Sequence, residues 1–135
     1  QTRCLVARIQ YLVDNGADPT SIVAITYTNA AAAEMRQRLK NCEGIFIGTI
    51  HSYCNRILCK VGIDTHEVID NEEFDELFEL IDENPDICPH VKYLIVDEFQ
   101  DCCPIHYHFL FNLKSGWCLA TRDKVSILFL EVSHL

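Results

Sequence analysis

Apolar and polar positions recur along this chain with two different periods, and the switches between them predict its elements. From residue 3 to 15, Leu5, Val6, Ile9, Leu12 and Val13 recur at helical spacing and form one apolar stripe. Asn15-Gly16 ends that helix, with Gly16 suited to the left-handed residue that follows a helix. Asp18-Pro19-Thr20 is a turn, and Ser21 to Tyr27 is an unbroken β-branched run that predicts a buried strand. Thr28 or Asn29 then caps a helix over Ala30 to Leu39. A second short strand is expected over Gly44 to Ile50, and His51-Ser52 leads into a helix that Gly62 closes. Residues 67–70 suggest a short strand. Asn71 is placed to cap an acidic helix with Phe74, Leu77, Phe78 and Ile81 on one face, broken by Asn84-Pro85-Asp86. Tyr93 to Val96 is a third buried strand, Pro104 starts a further helix, and Trp117 to Ala120 reads as a strand. Residues 125–132 fit a strand or a buried helix. Strands alternating with helices predict an α/β fold, a parallel sheet covered on both faces.

Composition changes this picture little. At 135 residues, nearly half of them apolar, the chain is one globular domain or part of one. It does not open on Met, and a fragment of something longer is expected. No apolar run approaches the roughly 20 residues of a bilayer span, and no signal peptide is visible, so an intracellular protein is expected. The eight cysteines form no C-x-x-C pair and are read as reduced, buried thiols, with a metal or redox role or disulfides as the lesser alternatives.

Charge changes it more. The net charge of −9 argues at first against a nucleic-acid partner. Eleven acids lie between Asp64 and Asp86 with no Lys or Arg among them, and the rest of the chain carries +2. The acidity belongs to one segment, read as a solvated helix face, with docking to a basic partner as the alternative. His66, His90, His106 and His108 show no trustworthy partner spacing, and His106-x-His108 reads as helix surface.

The chemistry begins where the third strand ends, in Asp97-Glu98-Phe99-Gln100-Asp101. A buried strand ending in two acids delivers carboxylates to the carboxyl edge of a sheet, where open α/β folds bind ligands. In nucleotide hydrolysis one such acid holds Mg²⁺ and a neighbour orients or deprotonates water. The same spacing also fits a solvated acidic turn.

Three segments decide between these readings. Ala24-Ile25-Thr26-Tyr27-Thr28-Asn29-Ala30-Ala31-Ala32-Ala33-Glu34-Met35 resembles motif Ia of the UvrD/Rep-type superfamily 1 DNA helicases. Gly48-Thr49-Ile50-His51-Ser52 resembles the next block, and Leu94 to Asp101 resembles motif II, the Walker B strand. The resemblance covers residues 1 to about 114, in the family's order. It implies part of an N-terminal ATP-binding domain with a RecA-like P-loop NTPase fold, incomplete here. It also implies ATP and Mg²⁺ as cofactors, single-stranded and duplex DNA as partners, and ATP-driven translocation and unwinding. On it, Asp97 and Thr2 hold Mg²⁺, Glu98 positions the attacking water, and Gln100 and Asp101 couple the nucleotide to neighbouring motifs. Tyr27 stacks on a base, while Thr28, Asn29, Thr49, His51 and Ser52 meet the DNA backbone at helix N-termini.

The same resemblance marks departures. The family's Gly-x-Gly-Lys-Thr loop is expected just before the first helix, and Gln1 stands at the Lys position. In residues 117–135 only Asp123, Ser126 and Ile127 keep the family's pattern, with Val125 at a Gln position and Glu131 at an Arg position. Residues 64–90 leave room for only a small acidic helical insert, and a second RecA-like domain is missing. These departures lead to the expectation that the fragment alone is inactive. The rival expectation is a non-catalytic module binding single-stranded DNA or a protein.

Overall fold

The computed structural model describes residues 2–89, 91–97, 104–112, 119–120 and 127–131. Helix α1 (Thr2–Asp14) leads through a 3₁₀ turn at Pro19–Ser21 into strand β1 (Ile22–Thr26). Helix α2 (Asn29–Arg38), strand β2 (Phe46–Thr49) and helix α3 (Ile50–Lys60) follow. Then come α4 (His66–Asp70), α5 (Asp75–Glu83), β3 (Tyr93–Asp97), α6 (Pro104–Asn112), β4 (Leu119–Ala120) and β5 (Ile127–Glu131).

The strands lie in the order β2-β1-β3-β5-β4. β1 pairs in parallel with β2 and with β3, which gives the expected parallel sheet. β5 joins β3 antiparallel and pairs antiparallel with β4. That reversal has a simple cause. Six residues separate β4 from β5, and a parallel neighbour needs a crossover of about a dozen or more.

Alternation along the strands divides the core in two. Val23, Ile25, Leu94 and Val96 point to the face covered by α3, α5 and α6, where Tyr53, Leu58, Leu77, Phe78 and Phe109 are buried. Ile22, Ala24, Tyr93 and Ile95 point to the face covered by α1 and α2, against Leu5, Ile9, Ala32 and Met35. All five residues of β1 and all five of β3 are buried, as strands covered on both faces must be.

Two local expectations are overturned. Residues 67–70 are helical and belong to α4. Asn71 follows that helix as its C-cap and does not cap the acidic helix; α5 starts after Phe74 without a side-chain cap. Asp64 and Thr65 open α4 where a β run was expected, with the Asp64 carboxylate accepting the His66 N–H at 2.9 Å. The acidic segment is also less separate than its charge suggests. Leu77, Phe78 and Ile81 are buried in the same core as α3 and α6, while Asp75, Glu76, Glu79, Asp82 and Glu83 stay exposed.

Elsewhere the turns follow their residues. Gly16 and Gly62 adopt positive φ just after α1 and α3, where a side chain would be strained. Arg36 of α2 donates to the Ile47 carbonyl of β2 at 2.6 Å, tying the helix to the outer strand. Among the described residues Cys42, Cys54 and Cys59 are free thiols. Cys54 and Cys88 are buried as expected; Cys42 is half-buried and Cys59 exposed. No helix among the described residues is long and apolar enough to cross a membrane.

Candidate functional site

Because β1, β2 and β3 are parallel, their carboxyl ends share one edge, and the chain leaves each strand there. Thr26 is paired with Thr49, and Ile25 with Val96, so the last residues of the three strands stand side by side. Asp97 ends β3 and is only 7% exposed. By alternation it follows Tyr93 and Ile95 onto the face that carries α1. Helix α1 leads into β1 through a short turn and packs on that face through Leu5 and Ile9. The side chain of Thr2, and Glu98, Gln100 and Asp101 entirely, lie outside the described residues.

Tyr27, one residue past β1, takes the opposite face. It is half-buried, and its hydroxyl lies 3.5 Å from His106 Nδ1, with the rings 6.0 Å apart. The two strand-to-helix turns flanking it are built alike. Thr28 caps α2, its hydroxyl accepting the Ala31 N–H at 3.1 Å. Thr49 caps α3, its hydroxyl accepting the Ser52 N–H at 3.2 Å. Ser52 is therefore inside the first turn of its helix, and its own hydroxyl is not the cap. Thr28, Asn29 and Ser52 are exposed.

These turns open on a cleft of about 350 Å³. Tyr27, Asn29, Thr49, His51 and Ser52, five of the six residues expected to meet DNA, line it, and Thr28 stands just outside. The acidic segment borders it too, because Ile69 and Phe74 form part of the wall. Asp75, from the same segment, stands within 4.8 Å of His51 and His106 in that wall.

His51 is turned inward. Its ring lies 5.2 Å from Phe74, 5.5 Å from Phe78 and 5.8 Å from His106. Its Nε2 is covered and has no hydrogen-bond partner among the described residues. Burial, aided by the neighbouring His106, holds the His51 pKa below its ordinary value, against the pull of Asp75. Burial lowers His106 likewise, again opposed by Asp75. His106 is thus a half-buried partner of the site and not helix surface. Sequence reading missed Phe74, Asp75 and His106 as site residues. Their positions share no period with His51, and only the packing of α5 and α6 on α3 brings them together.

The fold and its carboxyl edge are those of an incomplete RecA-like α/β domain. Comparison with known proteins gives the family: residues 1–88 match the UvrD/REP helicase N-terminal domain, and the chain belongs to that family. A probable DNA helicase of Mycoplasma pneumoniae is 34% identical over 121 residues, covering 76% of this chain and 23% of the relative. The ATP-dependent DNA helicase SRS2 of Saccharomyces cerevisiae is 34% identical over 119 residues, covering 77% of this chain and 10% of the relative. The ATP-dependent DNA helicase PcrA of Staphylococcus aureus is 39% identical over 79 residues, 51% of this chain and 11% of the relative. The chain thus spans a tenth to a quarter of the length of these relatives.

Proposed function

We propose that this chain supplies the DNA-facing edge and the Walker B acid of an intracellular, Mg²⁺-ATP-dependent DNA helicase. The whole protein would hydrolyse ATP to move along single-stranded DNA and open duplexes, with a second RecA-like domain closing on this one. The observation that carries the reading is the common carboxyl edge. It gathers Asp97 on one face and the Tyr27-to-Ser52 cleft on the other, within one rigid set of strands.

In this reading Asp97 and Thr2 hold Mg²⁺, and Glu98, with Gln100 and Asp101 beside it, orients the attacking water. Mg²⁺, when bound with ATP, neutralises charge on the phosphoryl oxygens. The family relationship and the placement of Asp97 at the end of a buried strand support that assignment. On the other face, Thr28, Asn29, Thr49 and Ser52 offer hydroxyl, amide and backbone N–H groups to phosphates, and Tyr27 offers a ring to a base.

Binding of a fluorescent single-stranded oligonucleotide, followed by anisotropy without nucleotide, tests the DNA half. Tyr27→Ala is expected to weaken it by about 1–3 kcal/mol, the size of one base stack. Unchanged affinity in that variant would remove Tyr27 from the DNA face. The nucleotide half is tested by Mg-ATP binding to the intact protein, which Asp97→Asn is expected to weaken. Unchanged binding there would detach Asp97 from the metal.

A further inference from the structure

The inward turn of His51 is not explained by contact with DNA, and it brings together a set of groups from three helices. His51 lies in the first turn of α3, Asp75 is the first residue of α5, and His106 lies in the first turn of α6. One ligand-type atom of each lies within 4.8 Å of the others. We propose that His51, Asp75 and His106 form a binding site for a first-row divalent transition metal such as Zn²⁺.

The donor set suits that class of ion. Two imidazoles and one carboxylate favour Zn²⁺ and its neighbours over Mg²⁺ or Ca²⁺, which prefer all-oxygen ligands. A metal takes the neutral ring, and burial favours that form at both imidazoles by lowering their pKa values against the pull of Asp75. Three helix N-termini at the cluster also disfavour imidazolium. The covered Nε2 of His51 has no hydrogen-bond partner among the described residues, and a buried polar atom in that state costs free energy that a metal ligand bond removes.

The surroundings complete the site. Phe74 and Phe78 shield His51 on one side. With its Nδ1 protonated toward the Tyr27 hydroxyl, 3.5 Å away, His106 would keep its Nε2 lone pair for the ion. Zn–N and Zn–O bonds of about 2.0–2.2 Å require the three donors to draw in slightly. Asp75 is exposed at a helix start and has the freedom to do so. Three protein ligands leave a fourth position toward the cleft. The proposal needs no bound DNA, because its ligands are these three side chains.

The test is a Co²⁺ titration of the chelator-treated full chain, followed by its visible d–d absorption, with Zn²⁺ competition. One equivalent of Co²⁺ bound without a thiolate charge-transfer band is expected. His106→Ala and Asp75→Asn are each expected to weaken binding by at least about tenfold, the least that disturbing a metal's immediate partners costs. His66→Ala, in the exposed His66–Asp70 pair, is expected to leave it unchanged. Circular dichroism reports whether His106→Ala stays folded, and Asp75→Asn, at an exposed position, keeps the test decisive if it does not. Absence of a one-equivalent band, a thiolate band in its place, or a band indifferent to Asp75→Asn would overturn the proposal.

Discussion

The turn from β1 into α2 and the turn from β2 into α3 are near copies with different fates. Both leave a parallel strand at the same edge, both are capped by a threonine hydroxyl, and Thr26 and Thr49 stand paired beneath them. At the first turn the polar side chains remain outside, Thr28 and Asn29 being exposed. At the second, His51 folds under its helix into an aromatic cluster with Phe74, Phe78 and His106. The difference comes from the next layer. Where α5 and α6 lie against α3, their rings cover the one at the start of that helix. Backbone geometry at a strand end therefore sets where a side chain starts, and the neighbouring helix sets whether it serves the surface or the interior.

The contrast breaks most readily at its support. Phe78→Ala removes a side chain only 3% exposed and is expected to cost about 3–5 kcal/mol in denaturant unfolding. In a protein that survives this change, His51 is expected to titrate closer to its ordinary value by proton NMR. The caps are next. Thr28→Ala and Thr49→Ala should each cost about 1 kcal/mol of stability. The comparison predicts that they differ in oligonucleotide binding, with Thr28→Ala weakening it more because its turn is the open one.

The smallest effect is in pH. His51 and His106 are held below the ordinary histidine value of about 6.5 by burial, with Asp75 opposing and the Tyr27 hydroxyl beside His106. The unfolded chain then binds more protons than the folded one in the window just below 6.5. Stability is full above that value and falls as pH drops through it toward the lowered folded values. Replacing His51 by Phe should flatten this slope, measured as the midpoint of urea unfolding between about pH 7 and 5. An unchanged slope would mean that His51 is not the buried titrating group.

Much of the fold was legible because strands and helices write their periods locally. The runs at Ile22–Thr26 and Tyr93–Asp97, the glycines at 16 and 62 and the threonine cap at 28 are all short-range signals. The failures were of a different kind. Residues 67–70 are β-branched enough to suggest a strand, but Asp64 and the following turn chemistry make them helical. Hairpin pairing of β4 with β5 depends on the length of a connection, not on either strand's composition. In the site, Tyr27, Thr49 and Asp97 could be placed by strand ends, whereas the meeting of His51 with His106 could not. Fifty-four residues lie between these two in the chain, and nothing in either neighbourhood names the other.

The bond from Arg36 to the Ile47 carbonyl has a consequence beyond fixing α2 to the sheet. Among the described residues β2 is the outermost strand on its side, with β1 as its one neighbour. A bare outer strand is a template on which another chain's strand can add, and growth of that kind ends in aggregates. The guanidinium occupies an acceptor that such a newcomer needs, and it sets a positive charge in the newcomer's path. At this edge of the described sheet, one arginine on a neighbouring helix thus stands against strand addition.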